Sequence, residues 1–468
     1  MKHWSQGLPG AARRWGWLLL LVLGPLYVFI RPATTPVLLA VPALLALLWA
    51  RVTPDDPSAA RRTPLDWAIL LLVAMVLVSL WATFSIDFSL PKIAGLVFGV
   101  GLFYAVVSRG RARPRALWQM LAVYLALGAG VAALGLLGMQ VSTKFPVLAA
   151  IVSRLPRGAV SLPGAESGLQ PNEVAGVLVW VAPVALALAA AVWLNLGALA
   201  PVHGGASTVA AGALLTLVAL GTAGVLVLTQ SRSGLLGLAA ALLVMLLVAL
   251  WSRRRAIRAA FEPGRRRLWL VGSVVAAAAL LVGAGLRYRQ PLVASAQQVL
   301  VSSGADPTSS DPLQTLDARA EIWSRAIYGI EDFPYTGMGM NTFRKMVNVL
   351  YPLFTISPDI DLGHAHNTWL QVALDLGLPG LVAFVALWVG ALAMLLQSVR
   401  RSATSPGMRA LALGLLGALA GNFAFGLTDT VALGARPGFL WWMLVALVTL
   451  VWMRSKPAPG PLLAPNNN

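Results

Sequence analysis

The chain has 468 residues, of which 58% are hydrophobic, 11% are charged and none is cysteine. A soluble protein carries roughly 25% charged residues, so this composition excludes a set of soluble domains, and disulfides and thiol chemistry are excluded as well. The net charge of +18 would suit nucleic acid, but the basic residues lie in short clusters between apolar runs, as in cytoplasmic loops. We therefore predict an all-α, polytopic integral membrane protein with no nucleic-acid partner.

Apolar runs of about 20 residues, long enough to cross a bilayer, recur along the chain and predict about twelve transmembrane helices. The predicted spans are 15–30, 35–50, 66–84, 92–108, 116–139, 173–198, 208–229, 234–251, 269–286, 367–397, 408–427 and 437–453. The first span follows Arg13 and Arg14 without a small-residue cleavage site, which predicts a retained signal-anchor. The domains expected are spans one to nine in 1–286, a large extracytoplasmic loop in 287–366, spans ten to twelve in 367–455, and a disordered cytoplasmic tail in 456–468.

The basic clusters predict the orientation, because cytoplasmic loops are enriched in Lys and Arg. If both termini are cytoplasmic, every cluster falls on that side. The clusters are Arg51, Arg61 and Arg62; Arg109, Arg111, Arg113 and Arg115; the arginines from Arg253 to Arg267; Arg400, Arg401 and Arg409; and Arg454 with Lys456. One span more or fewer would move a cluster to the opposite side, which favours the even count.

Two extracytoplasmic segments are longer than tight turns. In residues 140–172, apolar residues at helical spacing before Pro156 predict an interfacial helix. These residues are Val147, Leu148, Ile151, Val152 and Leu155.

The second segment, residues 287–366, is the longest polar stretch of the chain. Asp317 is expected to cap a helix in it, and Pro334, Gly337 and Gly339 to end that helix in a turn. One helix face would carry Arg319, Trp323, Ala326 and Ile330, while Glu321 and Arg325 would pair at i, i+4 on another.

Arg232 stands in a short extracytoplasmic connection between two apolar spans, where positive charge is disfavoured. It either reaches towards lipid headgroups or clamps an anion, since a guanidinium binds phosphate oxygens bidentately. For the second role, Ser231, Ser233 and the amides after Gly234 would add donors.

Arg319 and Trp323 also have two interpretations. In the first, the loop helix packs through the tryptophan with the arginine at its rim. Alternatively, Arg319 would lie beside Arg232, because a diphosphate with two phosphoryl groups needs two cations.

His364 and His366 lie where the chain re-enters the membrane. A His-x-His pair raises a metal hypothesis, but only Asp359 and Asp361 are acidic residues nearby in sequence. A general base is favoured, because an imidazole with its usual pKa of about 6.5 accepts a proton at neutral pH.

These residues carry a resemblance to the O-antigen ligase family. His366-Asn367, nine further residues and then Gly377 match its His-Asn-x9-Gly signature. Other similar segments are Gln170-Pro171-Asn172, the residues TQSRSG from Thr229 to Gly234, and the residues RAEIW from Arg319 to Trp323 with Pro334 and Gly337-Met338-Gly339 behind them. The resemblance spans roughly residues 60–450. The family belongs to a superfamily of membrane glycosyltransferases that includes O-antigen polymerases and bacterial protein O-oligosaccharyltransferases.

The resemblance implies a metal-independent, inverting transfer of a glycan from an undecaprenyl-pyrophosphate carrier to an acceptor such as a lipid A-core sugar, with no cofactor. Arg232 and Arg319 would hold the pyrophosphate, and His366 would activate the acceptor hydroxyl. The expected substrate-binding residues are Asn367, Gln170, Asn172, Ser231 and Trp323, and His364 has no assigned role. The protein would lie among the lipids of the bacterial inner membrane, with its site on the periplasmic face.

Several alternatives remain open. An O-antigen polymerase or a protein O-oligosaccharyltransferase would use the same donor chemistry; the His-Asn-x9-Gly string favours the ligase. A transporter or flippase would need acidic residues inside the spans, which are almost free of them apart from Asp66 and Asp375 near span ends. A non-catalytic scaffold would tolerate loss of Arg232 and His366. The outer-turn pairs Asp87–Lys92 and Asp429–Arg436 either face the catalytic cavity or form surface ion pairs, and surface ion pairs are favoured.

Overall fold

The computed structural model describes residues 62–113, 115–139, 144–154, 169–260, 316–401 and 405–455. The predicted spans 15–30, 35–50 and 269–286 lie outside the described residues. So do the signal-anchor, residues 287–315 of the long loop and the tail 456–468.

The described residues are almost entirely helical. The helices are α1 Asp66–Ala82, α2 Ile86–Ala112, α3 Ala116–Gly138, α4 Ala149–Val152, α5 Pro171–Leu194, α6 Leu196–His203, α7 Gly205–Leu228, α8 Arg232–Ala260, α9 Leu316–Asp332, α10 Phe343–Leu350, α11 Thr368–Arg401, α12 Pro406–Gly426 and α13 Gly438–Ser455. Within the described ranges, eight of them are long and apolar enough to cross a membrane: α2, α3, α5, α7, α8, α11, α12 and α13. The predicted all-α polytopic membrane fold is thereby confirmed, and the count of twelve spans stays a prediction.

Each predicted span within the described residues corresponds to one helix, and the differences lie at the ends. The predicted span 173–198 divides at Asn195, where α5 ends and the short helix α6 begins. The span 66–84 is the apolar helix α1, which has 17 residues. In the predicted interfacial helix, the described residues form a 3-10 turn at Pro146–Leu148 that continues directly into the single turn α4. Leu155 lies outside the described residues, and the interfacial location stays a prediction.

Helices α5 and α12 form the centre of the bundle. α12 packs along α5 and α8, and α5 also packs against α7. Trp180 Nε1 donates a 2.8 Å hydrogen bond to Asn422 Oδ1, which joins α5 to α12 inside the bundle. Gly237 of α8 faces Gly421 of α12, and a Cβ added to either would lie 2.8 Å from the carbonyl oxygen of the other. These small residues let the two helices approach closely and hold the start of α8 beside the turn that follows α12.

The loop arm, residues 316–367, lies across one end of the bundle, which we call the loop end. It has its own apolar cluster, in which Ile322, Phe343 and Val347 are buried together with Leu374 of α11. Asp317 lies inside α9, so its prediction as the residue that caps this helix is wrong. The predicted Glu321–Arg325 pair is present, with 3.7 Å between Oε1 and Nη2.

The arm docks into a break in α11. Gly377, inside α11, has the non-helical angles φ 71° and ψ 177°. There Met338 N donates to Leu374 O at 2.7 Å, and Leu378 N donates to Pro334 O at 2.7 Å. Gly337 also has a positive φ, 67°, and a Cβ added to it would lie 2.6 Å from Gly377 N. Glycine is needed at both positions, because a side chain would be strained and would clash with the neighbouring backbone.

Candidate active site

The turn 427–430, between α12 and α13, brings several elements together at the loop end. Arg319 Nη1 of α9 donates to Thr428 O at 2.7 Å. Thr428 Oγ1 donates to Ser233 Oγ of α8 at 2.9 Å. Asn367 Nδ2, just before α11, donates to Leu427 O at 3.0 Å. Residues from three distant stretches of sequence therefore meet at one short turn.

Asp429 is the buried carboxylate of this turn. It has no exposed surface, and its Oδ1 lies 3.2 Å from Nδ1 of His366. Its Oδ2 lies 3.7 Å from Nη2 of Arg319. One carboxylate thus contacts the predicted general base and one of the two predicted phosphate-binding arginines. The interpretation of Asp429 as part of a surface ion pair with Arg436 is wrong, because the loop arm covers it.

The electrostatics of Asp429 decide which nitrogen of His366 carries the proton. Burial acts to raise the pKa of Asp429, but the hydrogen bond with His366 and the charge of Arg319 outweigh burial and hold that pKa below its usual range. An ionised carboxylate can only accept hydrogen bonds. Nδ1 of His366 must therefore donate, and in the neutral form of such a ring Nε2 is the nitrogen with the free lone pair.

His364 is the neighbour of His366 in this cluster. His366 N donates to His364 Nδ1 at 3.2 Å, and the two ring centroids lie 4.4 Å apart. Burial and the positive charges of nearby groups lower the pKa of His364 well below its usual 6.5. His364 is therefore neutral at physiological pH, with Nδ1 as an acceptor and the proton on Nε2, which lies 3.9 Å from Asp429 Oδ1.

Two buried donors on the inner face of α9 lack a hydrogen-bond partner within the described part of the chain. They are Nε of Arg319 and Nε1 of Trp323, one helical turn apart. A buried donor left without a partner costs about 1–3 kcal/mol. Such donors next to a cation indicate a place where a ligand with oxygen acceptors would bind.

Arg232 opens α8 and is exposed, and no described residue forms an ion pair with it. Its neighbour Ser233 contacts the 427–430 turn, which brings the start of α8 to the site. Ser231 is fully buried, and its Oγ accepts a hydrogen bond from Gly234 N at 3.2 Å. Ser231 thus caps α8 and orients the residue that follows it.

Asn367 and the pair Gln170 and Asn172 are placed differently from one another. Asn367 Oδ1 accepts hydrogen bonds from Trp369 N and Leu370 N at 3.0 and 3.1 Å, so this side chain caps α11 and also ties it to Leu427. Gln170 is exposed immediately before α5, and Asn172 is half-buried in its first turn. A Cβ added to Gly176, in the same part of α5, would lie 2.7 Å from Val431 Cγ2. The start of α5 is therefore near the residues that follow the 427–430 turn, but among the described residues no hydrogen bond joins Gln170 or Asn172 to that turn.

A metal ion is the alternative use of this cluster. Among the described residues, His364, His366 and Asp429 offer ligand atoms that lie within 4.8 Å of one another. However, the guanidinium of Arg319 lies against the same carboxylate, and its positive charge would oppose a second cation. We therefore interpret the cluster as a base, a carboxylate and an arginine.

Sequence reasoning missed Thr428, and it considered Asp429 for the catalytic cavity but favoured a surface ion pair. Asp429 is a lone acidic residue in a short turn between two apolar spans, where an ionisable group is costly and tends to be functional. That signal was available in the sequence, but the partners of the turn come from residues far away along the chain.

The helical bundle and its loop-end cluster define a multi-pass membrane protein with a covered polar site at one end. A family model described as O-Antigen ligase matches residues 215–385, which supports the resemblance to the O-antigen ligase family. The match includes Arg232, Arg319, His366 and Gly377, whereas Asp429 lies beyond it. This match supports a glycosyltransferase-like membrane enzyme of the O-antigen ligase or polymerase type. No curated protein matches the chain.

Proposed function

We propose that the protein transfers a glycan from an undecaprenyl-pyrophosphate carrier to a hydroxyl of an acceptor sugar, such as lipid A-core. The observation that carries this proposal is the fully buried Asp429, which contacts His366 on one side and Arg319 on the other. A general base and a phosphate-binding cation are the two groups that displacement of a pyrophosphate by a hydroxyl requires.

In the proposed reaction, Nε2 of His366 takes the proton of the acceptor hydroxyl as its oxygen attacks the anomeric carbon. The bond from that carbon to the pyrophosphate oxygen breaks, and the pyrophosphate leaves with the electron pair. Asp429 holds the ring of His366 in the orientation that directs Nε2 to the acceptor and stabilises the imidazolium that forms, as the carboxylate does in Ser-His-Asp triads.

Arg319 and Arg232 have the proposed role of stabilising the charge that develops on the pyrophosphate. Because pyrophosphate is already a good leaving group, this stabilisation and the positioning of the acceptor are the main requirements. The unpartnered Nε of Arg319 and Nε1 of Trp323 supply donors for oxygens of the donor substrate. Two guanidinium groups could do this without a metal ion.

The proposed location is the bacterial inner membrane, with the loop end on the periplasmic face and both termini in the cytoplasm. The described basic residues Arg109, Arg111, Arg409 and Arg454 lie at helix ends opposite the loop arm, in agreement with that orientation. A lipid-linked donor would enter laterally from the bilayer, and the acceptor would approach over His366.

The test is incubation of purified protein in EDTA with undecaprenyl-pyrophosphate glycan and candidate acceptors, followed by separation of products by size. Addition of one glycan block to lipid A-core supports the ligase. A ladder of products would instead identify the polymerase, and a glycosylated protein acceptor the protein O-oligosaccharyltransferase. Counterflow of the donor in liposomes without any transfer would identify a flippase and overturn the proposal, and activity that appears only with added metal would overturn the metal-independent mechanism.

A further inference from the structure

A series of hydrogen bonds through the first turns of α11 connects the backbone at the histidines to the loop arm. Ala365 N, the amide between His364 and His366, donates to Gln371 Oε1 at 2.8 Å. Gln371 Nε2 donates to Asp375 Oδ1 at 2.9 Å. The same Oδ1 accepts from Asn341 N at 3.1 Å.

Both ends of this series are backbone segments in an uncommon conformation. His366 has φ 48° and Asn341 has φ 68°, both in the left-handed region. Non-glycine residues held in this region cost about 1–3 kcal/mol and persist only where the surroundings enforce them. The bonds from Ala365 N and Asn341 N lie at the residues where that enforcement is needed.

The residues that form this series of hydrogen bonds are also protected from solvent. Gln371 is 4% exposed, Asp375 is 2% exposed and Ala365 is fully buried. Asn341 continues the connection, since its Nδ2 donates to Phe88 O of α2 at 3.2 Å. The backbone at His364–His366, the loop arm and α2 are thus joined through Gln371 and Asp375 of α11. Among the described residues, the hydrogen bonds of these two side chains do not involve the 427–430 turn.

We infer that Gln371 and Asp375 are positioning residues, which hold the left-handed loop at His366 so that Nε2 faces the acceptor. This inference rests on the proposed function. Oδ1 of Asp375 accepts two hydrogen bonds, from Gln371 Nε2 and Asn341 N, so the inference assigns the positioning role to this acceptor atom and not to the charge of the carboxylate. The competing explanation is a role for the negative charge of Asp375, because the positive charge of Lys92 acts on this carboxylate.

A matched pair of variants separates these explanations. Asp375→Asn keeps an Oδ1 acceptor for both donors and removes the charge, whereas Asp375→Leu removes both. Gln371→Leu breaks the series at the other residue. A displacement of about 1 Å at a reacting group can cost on the order of 100-fold in rate, so we expect kcat to fall 10- to 100-fold in both leucine variants. The KM for the lipid-linked donor should change less than about threefold, because Arg232 and Arg319 are untouched, and Asp375→Asn should stay within about threefold of wild type.

A second readout does not depend on transfer activity. Histidine modification by diethylpyrocarbonate, measured at His366 by mass spectrometry in the full-length, monodisperse protein, reports how well the loop is held. Faster modification of His366 in Asp375→Leu and Gln371→Leu, but not in Asp375→Asn, is expected. The inference is overturned if Asp375→Asn is as impaired as Asp375→Leu, or if the leucine variants keep wild-type kcat or unchanged modification of His366.

The two readouts also separate failure of the inference from failure of the proposed function. If wild-type protein transfers no glycan, the proposed function fails, and the modification rates still decide whether Gln371 and Asp375 hold the loop. If wild type is active and the modification rates of all variants equal those of wild type, the positioning role fails alone.

Discussion

The carboxylate of Asp429 lies 3.2 Å from Nδ1 of His366 and is completely buried beneath the loop arm. In this relationship the ring nitrogen that faces the carboxylate must carry the proton, and the opposite nitrogen is the one available to a substrate. The identity of the base atom follows from a residue that lies 63 positions away in sequence.

Replacement of Asp429 by Asn should therefore impair transfer strongly. The amide can donate to Nδ1 and so favours the wrong tautomer, which in a Ser-His-Asp triad costs about 10⁴-fold in kcat. We expect a loss of about 100- to 10,000-fold in kcat, measured with purified lipid-linked donor. Asp87→Asn is the matched control, because Asp87 is an exposed carboxylate at the start of α2, and it should keep wild-type activity. Equal activity of the two variants would contradict the role of Asp429.

Arg319→Lys should recover only a small part of the activity that Arg319→Ala loses. Lysine keeps the positive charge, but its ammonium group lacks the planar fork of donors with which a guanidinium can contact Thr428 O, Asp429 and a phosphate at the same time. We expect Arg319→Ala to abolish transfer and Arg319→Lys to be at least about 10-fold slower than wild type. In Arg325→Lys, on another face of α9, transfer should be nearly unchanged. Full activity in Arg319→Lys would show that charge alone is sufficient.

Gly377→Ala should destabilise the docking of the loop arm on α11. Gly377 has φ 71° and ψ 177°, and a Cβ there would lie 2.6 Å from Tyr335 O. This backbone conformation is essentially confined to glycine, and a non-glycine residue held in it costs about 1–3 kcal/mol. We expect faster proteolysis within the arm and reduced transfer. Gly363→Ala is the control within the same arm, since no atom lies within 4 Å of a Cβ added there. Resistance to proteolysis equal to wild type in Gly377→Ala would exclude the proposed need for glycine.

The stability of the loop arm should depend on pH through the ionisation of Glu321. Burial acts to raise its pKa, but hydrogen bonds from Phe354 N, Thr355 N and the Thr355 hydroxyl outweigh burial and lower the pKa below its usual 4.5. Because the folded-state pKa is depressed, the stabilisation is present above about pH 4.5 and is lost as the pH falls through the folded-state value.

The corresponding measurement compares proteolysis of the arm in wild type and Glu321→Gln as a function of pH. At pH 7 the variant should be less protected by about 1 kcal/mol, and the difference should shrink below pH 4.5. A constant difference across this range would mean that ionisation of Glu321 does not stabilise the arm.

The helices and most residues of the candidate site could be predicted from the sequence, for physical reasons. A membrane-crossing helix needs a long apolar run, so the spans corresponding to α5, α8 and α12 can be predicted without knowledge of the tertiary structure. Arg319 and His366 were found because charged and titratable groups are rare beside such runs. Their shared contact with Asp429 was not predicted, because it depends on how the arm folds over the end of the bundle.

Other features of the site depend on backbone geometry that composition does not encode. The turn at Gly337 packs against the break of α11 at Gly377. The sequence shows two glycines at these positions but does not show that they are in contact. Ser231 and Asn367 were predicted to bind substrate, and the structure shows each capping a helix. A side chain that caps a helix and one that contacts a ligand are the same residue types, so only the fold distinguishes their partners; their role in substrate binding stays a prediction.

The most direct test of the central claim is single-turnover transfer by His366→Gln in EDTA, with binding of the undecaprenyl-pyrophosphate glycan measured on the same preparation. Glutamine approximates the size of the ring but cannot accept a proton at neutral pH. If His366 is the base beside Asp429, transfer should fall by about 100-fold or more while donor affinity stays near that of wild type. Transfer at the wild-type rate with donor bound normally would contradict the account.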